Sequence, residues 1–341
     1  MLCSKDGVFL AESKAKKLKN MQSLFNKQIF KLIDSRIMRG IALMLCAVFF
    51  FSLVGVIAKF IAAQYPPNEI TFFRMLFGLI PAMLVFRRLE FNKKEFTLSR
   101  FGGHFFRAAM ALGSMGTFLS SLLYLPLSTA VTLHYLETIF VAVFAMVCLG
   151  ERLRMGVVGG LVVGLGGVTL ISPLTGGYAS VLGTGLGVLS AVFGAGAVIQ
   201  IKRLSRTEEP TVIVLYFTLI GTIVSGLSLW VSWTTPSIED LALMALLGLT
   251  AGTGQLLLTT AFKNAPASLL APLSYFGVVW SILFEYVIWG ELIGLQAALG
   301  VVLIVGSALC VSFSGRRIDS CARVHREVRS SACKKVSLTS S

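Results

Sequence analysis

The chain has 341 residues, 55% hydrophobic and 13% charged, with a formal net charge of +14 and a mean hydropathy of +0.82. Soluble domains carry about 25% charged residues, so this composition excludes an ordinary water-soluble globule and points to a membrane-embedded protein. Eleven of the fourteen net positive charges fall in residues 1–39 and 314–341, with no basic stripe interleaved with aromatics, which argues against nucleic-acid binding and fits basic segments beside anionic lipid.

Residues 1–37 form a basic tail whose long polar stretch is unlike a cleaved signal peptide. A hydrocarbon core of roughly 30 Å takes about 20 apolar residues per helix. On that scale ten spans are expected, at 38–61, 69–86, 103–124, 128–149, 155–172, 181–201, 211–233, 239–262, 267–289 and 293–313. A second basic tail covers 314–341.

The connecting loops test this count. With the N-terminus in the cytoplasm, the inner loops 87–102, 150–154, 202–210 and 263–266 carry 11 Lys and Arg, and the outer loops carry none. The positive-inside rule then places both termini in the cytoplasm. Trp230, Trp233 and Trp289 fall at the outer boundary as interface anchors. The six cysteines show no CxxC spacing, so neither a zinc site nor a disulfide framework is expected, and no metal or other cofactor is expected.

The two halves resemble one another. Shifting the chain by 140 residues aligns 126–171 with 266–311 at 11 identities in 46 ungapped positions, among them Pro126 with Pro266, Tyr135 with Tyr275, Gly150 with Gly290 and Glu151 with Glu291. Five spans per half is an odd number, so the halves insert in opposite orientation, and the loop charges alternate accordingly. The expected fold is an all-α membrane protein: ten transmembrane helices arranged as two inverted five-helix repeats, 38–172 and 181–313, around a central cavity. Inverted repeats of this kind are the architecture of secondary transporters.

Three stretches carry a family resemblance: "PPNEITFFRMLFGLIPAML" (66–84), "PLSTAVTLHYLETIFVAVFAMVCLGERL" (126–153) and "PASLLAPLSYFGVVWSILFEYVIWGELI" (266–293). Over residues 38–313 the chain resembles the drug/metabolite transporter superfamily in its EamA-type branch. The resemblance implies ten helices, a cavity between the halves, and substrates such as amino acids or their derivatives, nucleoside-like compounds such as S-adenosylmethionine, or vitamins such as riboflavin. It implies no ATPase, in keeping with the lack of a GxxxxGK[ST] loop.

Within the fourth span stand His134 and Glu137, three residues apart and therefore on one helical face. Glu137 lies about 13 Å below Ser128 at 1.5 Å per residue, near mid-bilayer, where an unpaired carboxylate costs a few kcal/mol or more. Their counterparts after the 140-residue shift are Ser274 and Gly277. The scaffold does not require charge there, so the pair reads as part of a substrate site or a proton relay. The rival reading is a buried ion pair between Glu137 and Arg74, which sits about 9 Å into the second span; Lys59 is the second possible partner. Tyr135 and Tyr275 complete the candidate substrate-binding set of Glu137, His134, Arg74, Tyr135 and Tyr275. Gln255 and Tyr216 are weaker cavity candidates, Glu285 an interfacial residue, His104 and Arg107 ordinary basic residues at an inner helix end, and Glu151 and Glu291 structural corners.

The resulting expectation is a secondary active transporter of a small organic metabolite in the plasma (inner) membrane of a bacterium, with the lipid bilayer as solvent and protons or a counter-substrate as coupling partners. No catalytic residues are expected, because neither HExxH nor paired Asp occurs at an interface. The alternatives are a membrane-embedded enzyme and a non-transporting scaffold or receptor.

Overall fold

The computed structural model describes residues 35–62, 64–88, 101–125, 127–153, 155–171, 180–290 and 295–316. All packing discussed below lies within the compact unit Gly40–Ser314. Residues 1–34 and 317–341, nearly the whole of both tails, and with them the expected orientation of the termini, lie outside the described residues, as does Glu291.

The described secondary structure is helical. Helix α1 spans Ser35–Ile61, α2 Pro67–Arg88, α3 Phe101–Ser121, α4 Leu127–His134, α5 Glu137–Leu149, α6 Met155–Ile171 and α7 Val181–Leu204. The second half continues with α8 Pro210–Ser228, α9 Ile238–Asn264, the single turn α10 Ala267–Leu270, a 3-10 turn Ala271–Tyr275, α11 Phe276–Trp289 and α12 Leu295–Arg316.

Among the described residues, seven helical segments are long and apolar enough to cross a bilayer: 35–61, 67–87, 129–149, 181–204, 210–228, 238–264 and 267–288. The other three expected spans correspond to α3, which carries His104 and Arg107, and to the shorter apolar segments Met155–Leu170 and Ala298–Ser307. These three fall short for identifiable reasons: charge within α3, and brevity in the other two.

Local chemistry sets the helix ends. Pro67 and Pro210 open α2 and α8, where the missing N–H costs nothing. Ser237 caps α9 by accepting from Asp240 N–H at 3.1 Å. Gly150 and Gly290 end α5 and α11 at φ 67° and 68°, the left-handed conformation that glycine adopts without a Cβ penalty. These two matching stops stand 140 residues apart.

Helix α2 packs against α8 and α9, and α3 and α5 pack against α7. The α2–α9 crossing is a backbone-to-backbone approach: a Cβ on Gly252 would stand 2.9 Å from Gly78 Cα. Without a hydrophobic drive between helices in lipid, such small-residue contacts carry the association. Trp230 is 97% exposed at the end of α8, in keeping with an interface anchor.

The fourth span, which reads as one apolar helix, is broken. Between α4 and α5, Leu136 N–H bonds to Leu133 O, Thr138 to Tyr135 O and Ile139 to Leu136 O, at 2.9–3.1 Å. These are 3-10 bonds, which tighten the turn at Tyr135 and Leu136. The ninth span breaks at the corresponding place, through the 3-10 turn that contains Pro272. Proline supplies no N–H there, whereas the fourth span has Thr132 at the matching position and breaks without one.

Candidate functional site

The break in the fourth span delivers His134, Tyr135 and Glu137 to a central cavity with two lobes. The first lobe, about 370 Å³, is bounded by Ser52, Tyr135, Ser274 and Gly277. The second, about 290 Å³, is bounded by Arg74, Arg107, Ser114 and Gln255. His134 and Glu137 line both, together with Phe118, Val198 and Leu258, so the charged pair stands between the lobes, at the waist of the site. Their side chains are 36% and 27% exposed, which places them on the cavity wall.

Both ring nitrogens of His134 have a neighbour, Ser190 at Nδ1 and Glu137 at Nε2. Ser190 Oγ donates its hydrogen to Gly187 O at 2.7 Å. With its hydrogen engaged there, the hydroxyl is free to accept from His134 Nδ1, 3.1 Å away, in the tautomer that carries a hydrogen on that nitrogen. His134 Nε2 faces Glu137 Oε2 at 3.4 Å. A neutral ring would oppose its lone pair to a carboxylate oxygen there, so the contact is attractive only with a proton on Nε2 or on Oε2. The pair is a one-proton site held between α4, α5 and α7. The Phe118 ring, tilted at 5.2 Å from the imidazole, closes its other side.

Room for the carboxylate comes from α7. A Cβ on Gly194 would stand 2.6 Å from Glu137 Cδ, so only glycine leaves space for this rotamer. The counterpart positions Ser274 and Gly277 line the first lobe, and Gly277 O accepts from Ser52 Oγ at 3.1 Å. Equivalent positions in the two halves thus face one cavity, and only one of them is charged.

The rival reading, a pairing of Glu137 with Arg74, does not form: the ion pairs of Glu137 among the described residues include His134 and not Arg74. Arg74 instead lines the second lobe on the same side as Glu137. Lys59 is exposed on α1 and lines neither lobe. Tyr135 is on the wall of the first lobe. Tyr275 is not: it is fully buried with Val168 and Ile304, its ring centroid 5.8 Å from that of Tyr135. Successive positions on a tightened turn point in different directions, and the 3-10 turn rotates Tyr275 into the core behind its partner.

Three residues at the site escape a reading of the sequence. Arg107, taken as an ordinary inner-end residue, is 3% exposed and lines the second lobe. Ser190 and Gly194 lie in a glycine-rich run that reads as generic packing. The signal for Gly194 and Ser190 is their four-residue spacing on one face of α7. Nearer the α7–α8 turn, His104 Nε2 meets Glu208 Oε2 at 2.6 Å and stacks on Tyr216 with centroids 4.2 Å apart. His104 and Tyr216 are thus part of a separate helix-joining cluster and line neither lobe. Glu151, expected as a corner, accepts from Ala267 N, Ser268 N and Ser268 Oγ at 3.1, 3.0 and 2.7 Å, capping α10.

Membrane-crossing helices around an internal cavity, largely apolar but with ionisable groups on its wall, suit a multi-pass membrane transporter. The profile of the EamA-like transporter family matches residues 38–172 and 181–313, and the chain belongs to that family, in the drug/metabolite transporter superfamily. It is 30% identical over 277 residues to the pseudopaline exporter CntI of Pseudomonas aeruginosa, covering 80% of this chain and 95% of that protein. It is 25% identical to the S-adenosylmethionine uptake transporter of Rickettsia prowazekii, covering 82% and 94%. The riboflavin transporter of Brucella anthropi is 25% identical, over 62% of this chain and 76% of that protein. One solved crystal structure superposes with a TM-score of 0.73 at 20% identity, covering 82% of this chain and 98% of the other, a likeness of fold.

Proposed function

We propose that this protein is a secondary active transporter that moves a small organic metabolite across a bacterial inner membrane by alternating access. In this reading the halves 38–172 and 181–313 are inverted five-helix repeats, both termini are cytoplasmic, and the halves rock about the two-lobed cavity. The substrate is an amino acid or its derivative, a nucleoside-like compound such as S-adenosylmethionine, or a vitamin such as riboflavin, and the names of two relatives support the last two classes. Glu137, His134, Arg74 and Tyr135 contact the substrate; Tyr275 backs Tyr135.

The observation that carries the reading is the one-sided charge at the waist. Glu137 and His134 emerge from a broken helix into the cavity, while the matching positions of the other half hold Ser274 and Gly277. Broken helices at mid-depth are where secondary transporters hold substrate and coupling ions, and the proton shared by the pair is the natural coupling particle. The alternatives, an embedded enzyme or a silent scaffold, leave this pair without work.

The test is metabolite profiling of cells with and without the protein, followed by flux of the enriched compound in vesicles with and without a proton gradient. Glu137→Gln is expected to reach the membrane at the normal level and to lose flux. Normal flux in that variant removes Glu137 from the mechanism, and a gradient-independent wild type removes the proton.

A further inference from the structure

The second lobe carries more positive charge than its own walls neutralise. Arg107 is 3% exposed, so nine-tenths and more of it is buried. Its guanidinium carbon lies 3.5 Å from the centroid of the Phe217 ring, which satisfies the face of the group by a cation–π contact. It does nothing for the in-plane donors, and Nε and Nη1 have no hydrogen-bond partner. Arg74, on the wall of the same lobe, forms no ion pair among the described residues. Guanidinium groups stay protonated in proteins. The lobe's carboxylate, Glu137, is engaged with His134, and a His–Glu pair holding one proton is neutral in sum. Two positive charges are left over in a site lined with apolar side chains. Taking such charges out of water costs several kcal/mol each unless a partner completes them.

We propose that the second lobe is the carboxylate subsite of the transporter. Arg107, on the lobe's wall with donors that have no partner of their own, turns its guanidinium to the acid, and Arg74 adds a second cation. Glu137, at the waist, receives the ammonium or other cationic end of the same molecule once the proton that it shares with His134 has left the pair. The substrate class is then a zwitterion of the amino-acid type, carrying at least one carboxylate, with its remaining bulk in the first lobe beside Tyr135. This rests on the transport reading above and narrows it. Planar, fork-shaped guanidinium donors match a carboxylate in two parallel bonds, and a lobe that offers both signs of charge fits a molecule that carries both. A neutral ring system leaves Arg107 as it stands, buried and unsatisfied.

The experiment uses the full chain in lipid nanodiscs and reads thermal stabilisation by matched pairs that differ by one carboxylate. The pairs are L-histidine and histamine, L-methionine and 3-(methylthio)propylamine, and S-adenosylmethionine and its decarboxylated amine, with inorganic phosphate as a separate arm. The acid member of at least one pair is expected to stabilise the protein where its amine does not. Arg107→Lys keeps the charge and loses the fork, and Arg74→Gln loses a charge; each is expected to weaken that binding roughly ten- to a hundredfold, the value of a hydrogen bond to a charged group. Equal stabilisation by acid and amine overturns the subsite. So do stabilisation by phosphate alone, unchanged affinity in Arg107→Lys, or no response to any acid. An acid that binds with this preference and is not moved across vesicles overturns transport and leaves the subsite standing. Flux of a compound with no acidic group does the reverse.

Discussion

Glu137 and Gly194 fit as a side chain and the gap made for it: a Cβ at Gly194 would lie 2.6 Å from the carboxyl carbon of Glu137 and 3.2 Å from its Cγ. The one intramembrane carboxylate at the waist of the cavity holds its rotamer because the facing helix has no side chain there.

Gly194→Ala is therefore expected to displace the carboxylate from His134. A forced shift in a packed interior costs about 1–3 kcal/mol, and flux is expected to fall with it. Gly185→Ala, on the same helix and with open space around its Cβ position, is the control expected to behave as wild type. Thermal unfolding and vesicle flux of the two variants, measured side by side, check this.

His134→Asn separates anchoring from proton sharing. The Asn amide N–H reaches where Nδ1 donates to Ser190, and nothing remains at the place of Nε2. Stability is expected to stay within about 1 kcal/mol of wild type, while proton-driven flux drops by roughly tenfold or more. Ser190→Ala gives the converse, losing the anchor at a cost of about 1 kcal/mol and keeping the pair.

Glu151→Ala strips the cap from α10. Its carboxylate accepts three hydrogen bonds from Ala267 and Ser268, and loss of a helix cap costs about 0.5–2 kcal/mol. A lowered melting temperature with unchanged substrate preference is the expected result; Glu151→Gln recovers part of it.

Much of this was legible beforehand, and the rest was hidden for physical reasons. Apolar length and loop charge locate the helices, and the 140-residue similarity pairs Gly150 with Gly290. The waist pair stood out because an acid and a histidine at mid-depth are costly. The break at Tyr135 was invisible: no Pro or Gly marks it, and the bonds that shift from i−4 to i−3 are set by packing. Arg107 looked ordinary because position along a helix does not reveal which face meets a cavity. Tyr275 looked equivalent to Tyr135 by register, and a single rotated turn sent one ring to the cavity and the other to the core.

Tyr65, in the turn between α1 and α2, donates its hydroxyl to Asp240 Oδ2 at 2.7 Å, and that bond holds its phenol above the usual value of 10.0. The stabilisation belongs to the protonated phenol. It is complete below the unfolded pKa and is lost as pH rises through the higher folded one. Tyr65→Phe is expected to unfold at a lower temperature than wild type at pH 7 and to match it above the folded pKa. Melting temperatures of both proteins across pH 7 to roughly 12 check the convergence.

The corner between α9 and α10 is gripped from two directions. Lys202 Nζ donates to Phe262 O at 2.6 Å and to Ala265 O at 2.8 Å, closing the last carbonyls of α9, while Glu151 closes the first amides of α10 from the other half of the chain. A corner whose loose ends are tied off by a cation on one side and an anion on the other resists unravelling, because the carbonyls and amides that neither helix can pair are satisfied there. That leaves Ala265–Pro266 a corner fastened to main-chain groups on both sides, by one residue from each half of the chain.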